Sequence, residues 1–331
     1  MFVSGLARPA SGRGESSHRT GHRSAVAERR RAPRAKASIV GGGPASIAEF
    51  PFQVALYDPH AGSPASGFFC GGVIIDAIHV VTAAHCIVGD GGAAGNVVVL
   101  AGSTTLSPPL DPGSVEDPVR SSTFDSNYNP GSSDYDIALL TLTRPLWSGS
   151  TPPSINGQST IAPLAPDPQA AATYGNPNLS PSVTAIASGW GDVAPAPSGA
   201  PSYPTGLRSV HMRLVSESLC EEQYAAIEQT ITPRMLCAGG GRSHTDTCYG
   251  DSGGPLVVDR DGPEHPGDYV LVGLVDFGNG CAQPGYAGVY TRIADPGIAN
   301  FLTSGVDHEG RAVALQAKHK KRKRRHRHRH G

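Results

Sequence analysis

Nine short apolar runs recur along the chain: "FPFQVAL" (50–56), "CGGVII" (70–75), "HVVTA" (79–83), "NVVVLAG" (96–102), "DIALLTL" (136–142), "SVTAIASGW" (182–190), "PLVV" (255–258), "YVLVGLV" (269–275) and "GVYTRI" (288–293). Each is rich in Val, Ile, Leu or aromatic residues, and clusters of Gly, Pro, Asn or Asp separate most of them. That pattern predicts an all-β chain folded as a barrel or sandwich. Two segments read as helices: "SESLCEEQYAAI" (216–227) and "DPGIANFLTS" (295–304), with Ser216 and Asp295 at their N-cap positions. The Pro/Ser/Gly-rich stretches 104–118, 150–182 and 193–206 carry no periodic apolar pattern and read as surface loops.

Composition narrows this picture. The 331 residues include 42 Gly and 29 Pro, so turns are frequent and long helices disfavoured. The longest apolar runs, such as Val97–Leu100 and Ile137–Leu140, fall far short of the roughly 18 residues a membrane span needs. No internal sequence repeat stands out. The formal net charge of −1 conceals three unlike segments. Residues 1–38 carry nine Lys/Arg against two acids, and residues 318–331 carry nine Lys/Arg and none. The body between them, 39–317, holds nine arginines and 26 acids, a net of −17. Basic ends so poor in apolar residues cannot bury enough surface to fold alone. The organisation read from this is a basic, disordered segment 1–38, a single domain over 39–305, and a disordered tail 306–331.

All six cysteines lie in the body: Cys70, Cys86, Cys220, Cys237, Cys248 and Cys281. An even number with no CxxC spacing or Cys/His cluster favours disulfides over a zinc site, and six cysteines allow 15 connectivities. Disulfides persist in oxidising compartments, which points to an exported, extracellular protein; six buried thiols in a cytosolic one is the plainer alternative.

Three residues carry the chemistry. "VVTAAHC" ends an apolar strand on His85, directly before a cysteine. "DYDIALL" puts Asp136 at the mouth of another strand, with Ile137 and Leu139 on the face opposite Ala138 and Leu140. "DTCYGDSGGP" (246–255) sets Ser252 among turn-forming residues. Acyl transfer by a serine needs a base to take the hydroxyl proton and an acid to fix the tautomer of that base. Ser252, His85 and Asp136 are those three types, and only a fold can bring residues so far apart together.

"IVGG" (39–42), "TAAHC" (82–86), "DIALL" (136–140), "SGWG" (188–191), "GDSGGP" (250–255) and "GVYTR" (288–292) resemble, in that order, the chymotrypsin/trypsin family of serine endopeptidases. The resemblance covers roughly 39–302. It implies two six-stranded antiparallel barrels with the active site in the cleft between them and a short C-terminal helix. It implies Ser252 as nucleophile, His85 as general base then acid, Asp136 as orienting carboxylate, and the N–H groups of Gly250 and Ser252 as oxyanion hole. The pairings it implies are Cys70–Cys86, Cys220–Cys237 and Cys248–Cys281. Trp190 and Tyr224 match further positions and are read as packing residues. Asp246 would lie at the floor of the primary specificity pocket, with Gly278 and Gly288 on its walls, selecting Arg or Lys; a solvated loop acid is the other reading of Asp246. Asp251 would pair with the α-amino group freed by cleavage before Ile39, which makes the chain a zymogen with 1–38 as its pro-segment.

Two positions depart from the pattern. Ser38, not Arg or Lys, precedes Ile39, so a separate activating protease is expected. "GLVDFG" (273–278) puts Asp276 and Phe277 where the family usually has Ser and Trp. The usual Ser hydroxyl donates toward the catalytic aspartate, whereas an ionised Asp276 only accepts. Either the facing carboxylates raise a pKa in the pair or Asp276 points elsewhere.

The ends add less. The first twenty residues hold no apolar core of 7–15 residues, so no secretory signal is visible. A wrongly assigned start codon accounts for that more simply than a transit peptide or the twin-arginine-like "ERRR". The tail "KHKKRKRRHRHRH" suits contact with polyanions by counterion release, or is simply a solvated end; His319, His326, His328 and His330 catch metal there only adventitiously. No cofactor and no metal site is expected; Asp111, Glu116 and Asp117 are loose calcium candidates. The expected partners are protein or peptide substrates with Arg or Lys. Two other functions remain open at this point: a protease-like binding protein that has lost activity, and a polyanion or surface binder acting through its basic tails.

Overall fold

The computed structural model describes residues 39–88, 96–152, 154–155, 158–178, 183–193, 202–240, 245–260 and 267–305; the expected pro-segment 1–38 and tail 306–331 lie outside them. Two closed antiparallel barrels of six strands each make up the described body. The first is built from β1 (Gln53–Tyr57), β2 (Phe68–Ile74), β3 (His79–Thr82), β4 (Val98–Ala101), β5 (Val115–Phe124) and β6 (Ala138–Leu142). The second comprises β7 (Thr184–Gly189), β8 (Arg208–Val215), β9 (Met235–Ala238), β10 (Pro255–Asp259), β11 (Tyr269–Phe277) and β12 (Gly288–Arg292). Around the first barrel the order is β1-β2-β3-β6-β5-β4, and around the second β7-β8-β9-β12-β11-β10. One topology is therefore used twice, although no sequence repeat records it. The short strand Gly43–Pro44 joins the second barrel along β8.

Strand β1 shows why these sequences read as unbroken apolar runs. Its five residues are all buried. Val54 and Leu56 belong to the cluster that fills the first barrel, whereas Ala55 and Tyr57 belong to the cluster shared with the second. A strand covered on both faces loses the apolar–polar alternation of a half-solvated one. The same split separates Ala138 and Leu140 from Ile137 and Leu139, as the sequence of β6 predicts.

Three of the twelve barrel strands, β5, β8 and β9, are absent from the nine apolar runs. The burial of β8 alternates (Val210, Met212 and Leu214 in; His211 and Arg213 out), and β5 carries charges and Pro118. Both predicted helices form: Glu217–Ala225 is capped by the Ser216 hydroxyl, and Asp295 accepts from the N–H of Gly297 at the start of Pro296–Gly305. Two predicted loops need correction. Part of 104–118 is strand β5, and 150–182 contains the helix Pro168–Tyr174. In that helix Asp167 accepts from two backbone N–H groups and Pro168 occupies the first turn, where its missing N–H costs nothing. All three disulfides, Cys70–Cys86, Cys220–Cys237 and Cys248–Cys281, are formed. No helix among the described residues is long and apolar enough to cross a membrane.

Candidate active site

A cleft of about 850 Å³ is lined by residues of both barrels, including His85, Asp246, Gly250, Ser252, Asp276 and Gly278. His85 begins a single helical turn directly after β3, beside the Cys70–Cys86 disulfide. Its backbone N–H donates to Asp136 Oδ1 at 2.8 Å, and its ring Nδ1 lies 2.6 Å from Asp136 Oδ2. This double contact fixes the orientation of the imidazole and holds the proton on Nδ1, leaving Nε2 as the basic nitrogen. The Asp136 side chain is fully buried, while a third of the His85 side chain is exposed to the cleft.

Ser252 sits in a turn anchored to both barrels. Its carbonyl accepts from Gly71 of β2 at 2.8 Å, and the next residue, Gly253, donates to Val275 of β11 at 2.8 Å. Gly250 has φ of +93°, a conformation nearly closed to residues with a Cβ, and it lines the cleft beside Ser252. At Gly253 (φ +73°) an added Cβ would stand 2.0 Å from the Thr82 hydroxyl. The turn thus admits glycine on both sides of Ser252 for backbone and packing reasons.

Asp246 is buried beneath the cleft. Oδ2 accepts from the Ala282 N–H at 2.9 Å, while Oδ1 is buried with no hydrogen-bond partner. Burial pushes this carboxyl up to about 7, with the nearby Asp251 adding to the rise and backbone donors opposing it. A Cβ on Gly288 would lie 2.6 Å from that same Oδ1. Gly288 therefore packs directly on the acid, with no room there for a side chain. Cys248–Cys281 closes the pocket, and Tyr224 braces it from outside, donating to the Ala287 carbonyl at 2.6 Å. Trp190, fully buried, donates to the Thr104 carbonyl at 3.0 Å. Both aromatics pack, as read from the sequence.

Asp251 points away from the cleft into the second barrel. It is 1% exposed and accepts from the N–H groups of Gly191 (2.8 Å) and Cys248 (2.9 Å). Burial pushes it up to about 7, Asp192 adding to the rise against those two donors. Ile39 is completely buried, and the neighbouring Val40 carbonyl accepts from the Asp246 N–H at 3.0 Å. Ile39 has φ of +39°, an unfavourable conformation for a β-branched residue.

Asp276 does not point elsewhere. It is the extra residue of a β-bulge in β11: Val275 opposes Tyr290 and Phe277 opposes Val289, with Asp276 unpaired between them. The bulge turns its side chain toward His85 and Asp136, and ligand atoms of the three residues all lie within 4.8 Å of one another. Two unit charges at that distance repel by about 3.5 kcal/mol even at an effective dielectric constant of 20. Burial first, then Asp136, push the Asp276 carboxyl well above its usual range. Phe277 packs edge-on against Tyr224 with ring centroids 5.7 Å apart.

The calcium candidates are otherwise engaged. Asp111 accepts from the Thr104 N–H, Glu116 from the Tyr57 hydroxyl, and Asp117 pairs with Arg144 at 2.7 Å. Sequence reading passed over Tyr203 and Tyr249, which line the cleft with 51% and 62% of their surfaces exposed. The one available signal was the aromatic residue inside "DTCYGDSGGP". It also passed over Thr291, whose hydroxyl donates to the Asp136 carbonyl at 2.7 Å across the two barrels.

A hydroxyl, an imidazole and a buried carboxylate at the junction of two such barrels define a hydrolase that works by acyl transfer. The comparisons agree. The family profile described as Trypsin matches residues 39–299. The chain is 34% identical over 258 residues to trypsin-1 of Astacus astacus, covering 77% of this chain and 95% of that protein. It is 35% identical to trypsin beta of Drosophila erecta, covering 80% and 87% respectively, and 34% identical to the vitellin-degrading protease of Bombyx mori, covering 77% and 81%. Among solved structures it is similar to neuropsin, a serine protease expressed in the limbic system of mouse brain, with a TM-score of 0.57, 28% identity, and coverage of 76% of this chain and 94% of that one. The chain belongs to the trypsin family and is a serine endopeptidase.

Proposed function

We propose that the protein is a secreted endopeptidase that cleaves after Arg and Lys, and that it is made as a precursor activated by a cut before Ile39. The observation that carries the specificity is the second oxygen of Asp246, which lines the cleft: it is a buried acceptor without a donor, against which Gly288 leaves no room for a side chain. Burying a carboxylate unpaired costs several kcal/mol, and the guanidinium or ammonium of a substrate removes that cost. Cation binding also favours the ionised form, opposing the upward shift of Asp246.

In the reaction, His85 takes the Ser252 proton through Nε2 as Oγ attacks the scissile carbonyl. Asp136 holds the imidazole and stabilises the imidazolium. The N–H groups of Gly250 and Ser252 receive the developing oxyanion, each such donor contributing about 3 kcal/mol in the transition state. His85 then returns the proton to the leaving amine, and water repeats the sequence on the acyl-enzyme.

Activation rests on Asp251 and Ile39. In the uncut chain the buried carboxylate of Asp251 has two backbone donors, and Ile39 occupies a left-handed conformation beside the pocket floor. A cut after Ser38 turns the Ile39 amide into an ammonium, supplies a countercharge and frees φ from its constraint. A protease of Arg/Lys specificity does not cut after Ser, so the activator is a different enzyme. Three disulfides support an extracellular location. The basic tail (318–331) is suited to a polyanionic surface.

The test is hydrolysis of Arg, Lys, Phe and Ala peptide esters by protein that begins at Ile39. A preference of roughly 100-fold or more in kcat/KM for Arg and Lys is expected from the 3–5 kcal/mol at stake in a buried charge. Equal rates on Arg and Phe esters would refute the specificity.

A further inference from the structure

We infer that Asp276 carries a proton in the working enzyme and donates it, as an O–H···O hydrogen bond, to the carboxylate of Asp136. Asp276 is then a positioning residue for the triad, a carboxylic acid in the place where the family usually keeps a serine hydroxyl. The inference rests on the triad roles proposed above.

Geometry carries it. Both oxygens of Asp276 are buried with no well-formed hydrogen bond, and the Ser133 hydroxyl is the one donor near enough to favour a carboxylate there. The bulge in β11 aims them at Asp136, which already accepts from the N–H and the ring Nδ1 of His85. A bare carboxylate facing another in a closed space satisfies neither. One added proton satisfies both: Asp276 gains a bond and Asp136 gains a third donor.

The groups around the pair favour the same assignment. Asp136 and Asp134 both oppose a negative charge on Asp276, and only the Ser133 hydroxyl favours one. Asp134 is engaged by Arg234 at 2.8 Å and by the Thr232 hydroxyl. Tyr128 is pushed up to about 12 by burial and by Asp136 and Asp276, so it stays neutral and supplies no charge. Tyr224 is likewise shifted upward by burial. No cation is among the groups that act on Asp276, and His85 beside the pair directs its ring Nδ1 at Asp136. The strong hydrogen bonds of ionised carboxylates come from donors of this kind.

Infrared difference spectroscopy on protein starting at Ile39 reads the proton directly and needs no turnover. The expected result is a carboxylic-acid C=O band at pH 8 that disappears in Asp276→Asn and persists in Ser252→Ala. In parallel, kcat/KM of protein starting at Ile39 is expected to fall about 10–100-fold in Asp276→Ala, mainly through kcat. Asp276→Asn and Asp276→Ser, which keep a donor, are expected to recover most of that loss. The inference is overturned if wild type lacks the band at pH 8, if Asp276→Asn leaves the band in place, or if Asn and Ser variants are as slow as Ala. Should Ser252→Ala remain active while the band behaves as expected, the triad assignment fails and the proton on Asp276 stands.

Discussion

Thr291 of β12 donates its hydroxyl to the backbone carbonyl of Asp136 at 2.7 Å, tying the proposed triad acid of the first barrel to the second. With the Ser188 hydroxyl on Gln53 Oε1 at 2.7 Å, it forms a buried polar bridge between the barrels. Ser252 and Asp276 belong to the second barrel and His85 and Asp136 to the first, so the catalytic distances depend on such bridges. Thr291→Val keeps the shape and removes the donor, leaving a buried carbonyl unsatisfied. The expected loss is about 1–3 kcal/mol of stability, read as a lower urea midpoint with unchanged slope. An accompanying drop in kcat with KM steady would mark displacement of Asp136.

Triad substitutions give the largest expected effects. Ser252→Ala and His85→Ala are each expected to abolish nearly all ester hydrolysis, and Asp136→Asn to lower kcat about 10⁴-fold by favouring the wrong tautomer of His85. The double contact of Asp136 with His85 is the reason an isosteric amide fails: Asn offers an N–H where the ring needs an acceptor. Wild-type turnover in Ser252→Ala would remove the proposed mechanism.

The pocket gives a reversal rather than a loss. Asp246→Ser removes the buried charge, and the preference is expected to move from Arg and Lys toward apolar side chains. The acidic body, −17 over residues 39–317, adds a long-range attraction for cationic substrates. For Arg esters, kcat/KM is expected to fall as salt rises from 10 to 500 mM, the range over which the Debye length shrinks from about 30 Å to a few ångström. A salt response identical for Arg and Ala esters would show that the field plays no part.

Much of this site was legible because its chemistry lies in compact local signals. "TAAHC", "DIALL" and "GDSGGP" each place one functional residue at the end of a strand or in a glycine turn that the structure reproduces. Strands buried on both faces were legible as well, since nothing interrupts their apolar runs. The half-solvated strands β5 and β8 were not, because polar and charged residues and Pro118 interrupt their apolar positions, and so short an alternation resembles a loop. The helix Pro168–Tyr174 hid inside a stretch whose prolines and serines suggested a surface loop, though its Asp-Pro start was a readable cap. Sequence posed the question of Asp276 without answering it. The direction of that side chain depends on a one-residue bulge that no local pattern encodes.

Activation has a signature in the pH dependence of stability. Asp251 and Asp246 are both pushed up to about 7 in the uncut chain, against about 3.9 for an unfolded aspartate. The folded state then holds more protons than the unfolded one between those values. A carboxyl with a raised folded pKa contributes stability that is fully present below pH 4 and is lost as pH climbs to 7. Each such proton changes the unfolding free energy by about 1.4 kcal/mol per pH unit in that window. Full-length protein is therefore expected to lose stability from pH 4 to 7, and full-length Asp251→Asn to lose it with a slope shallower by one proton. Cleavage before Ile39 gives Asp251 an ammonium partner, which lowers the pKa of the acid and raises that of the amine above its usual 7.7–8. The cleaved form is then expected to match the shallow slope of Asp251→Asn below pH 7, and to lose stability and activity as pH rises through the raised amine value. Urea midpoints at half-unit steps from pH 4 to 10 measure all three. Parallel curves for the cut and uncut chains would show that Ile39 and Asp251 do not pair.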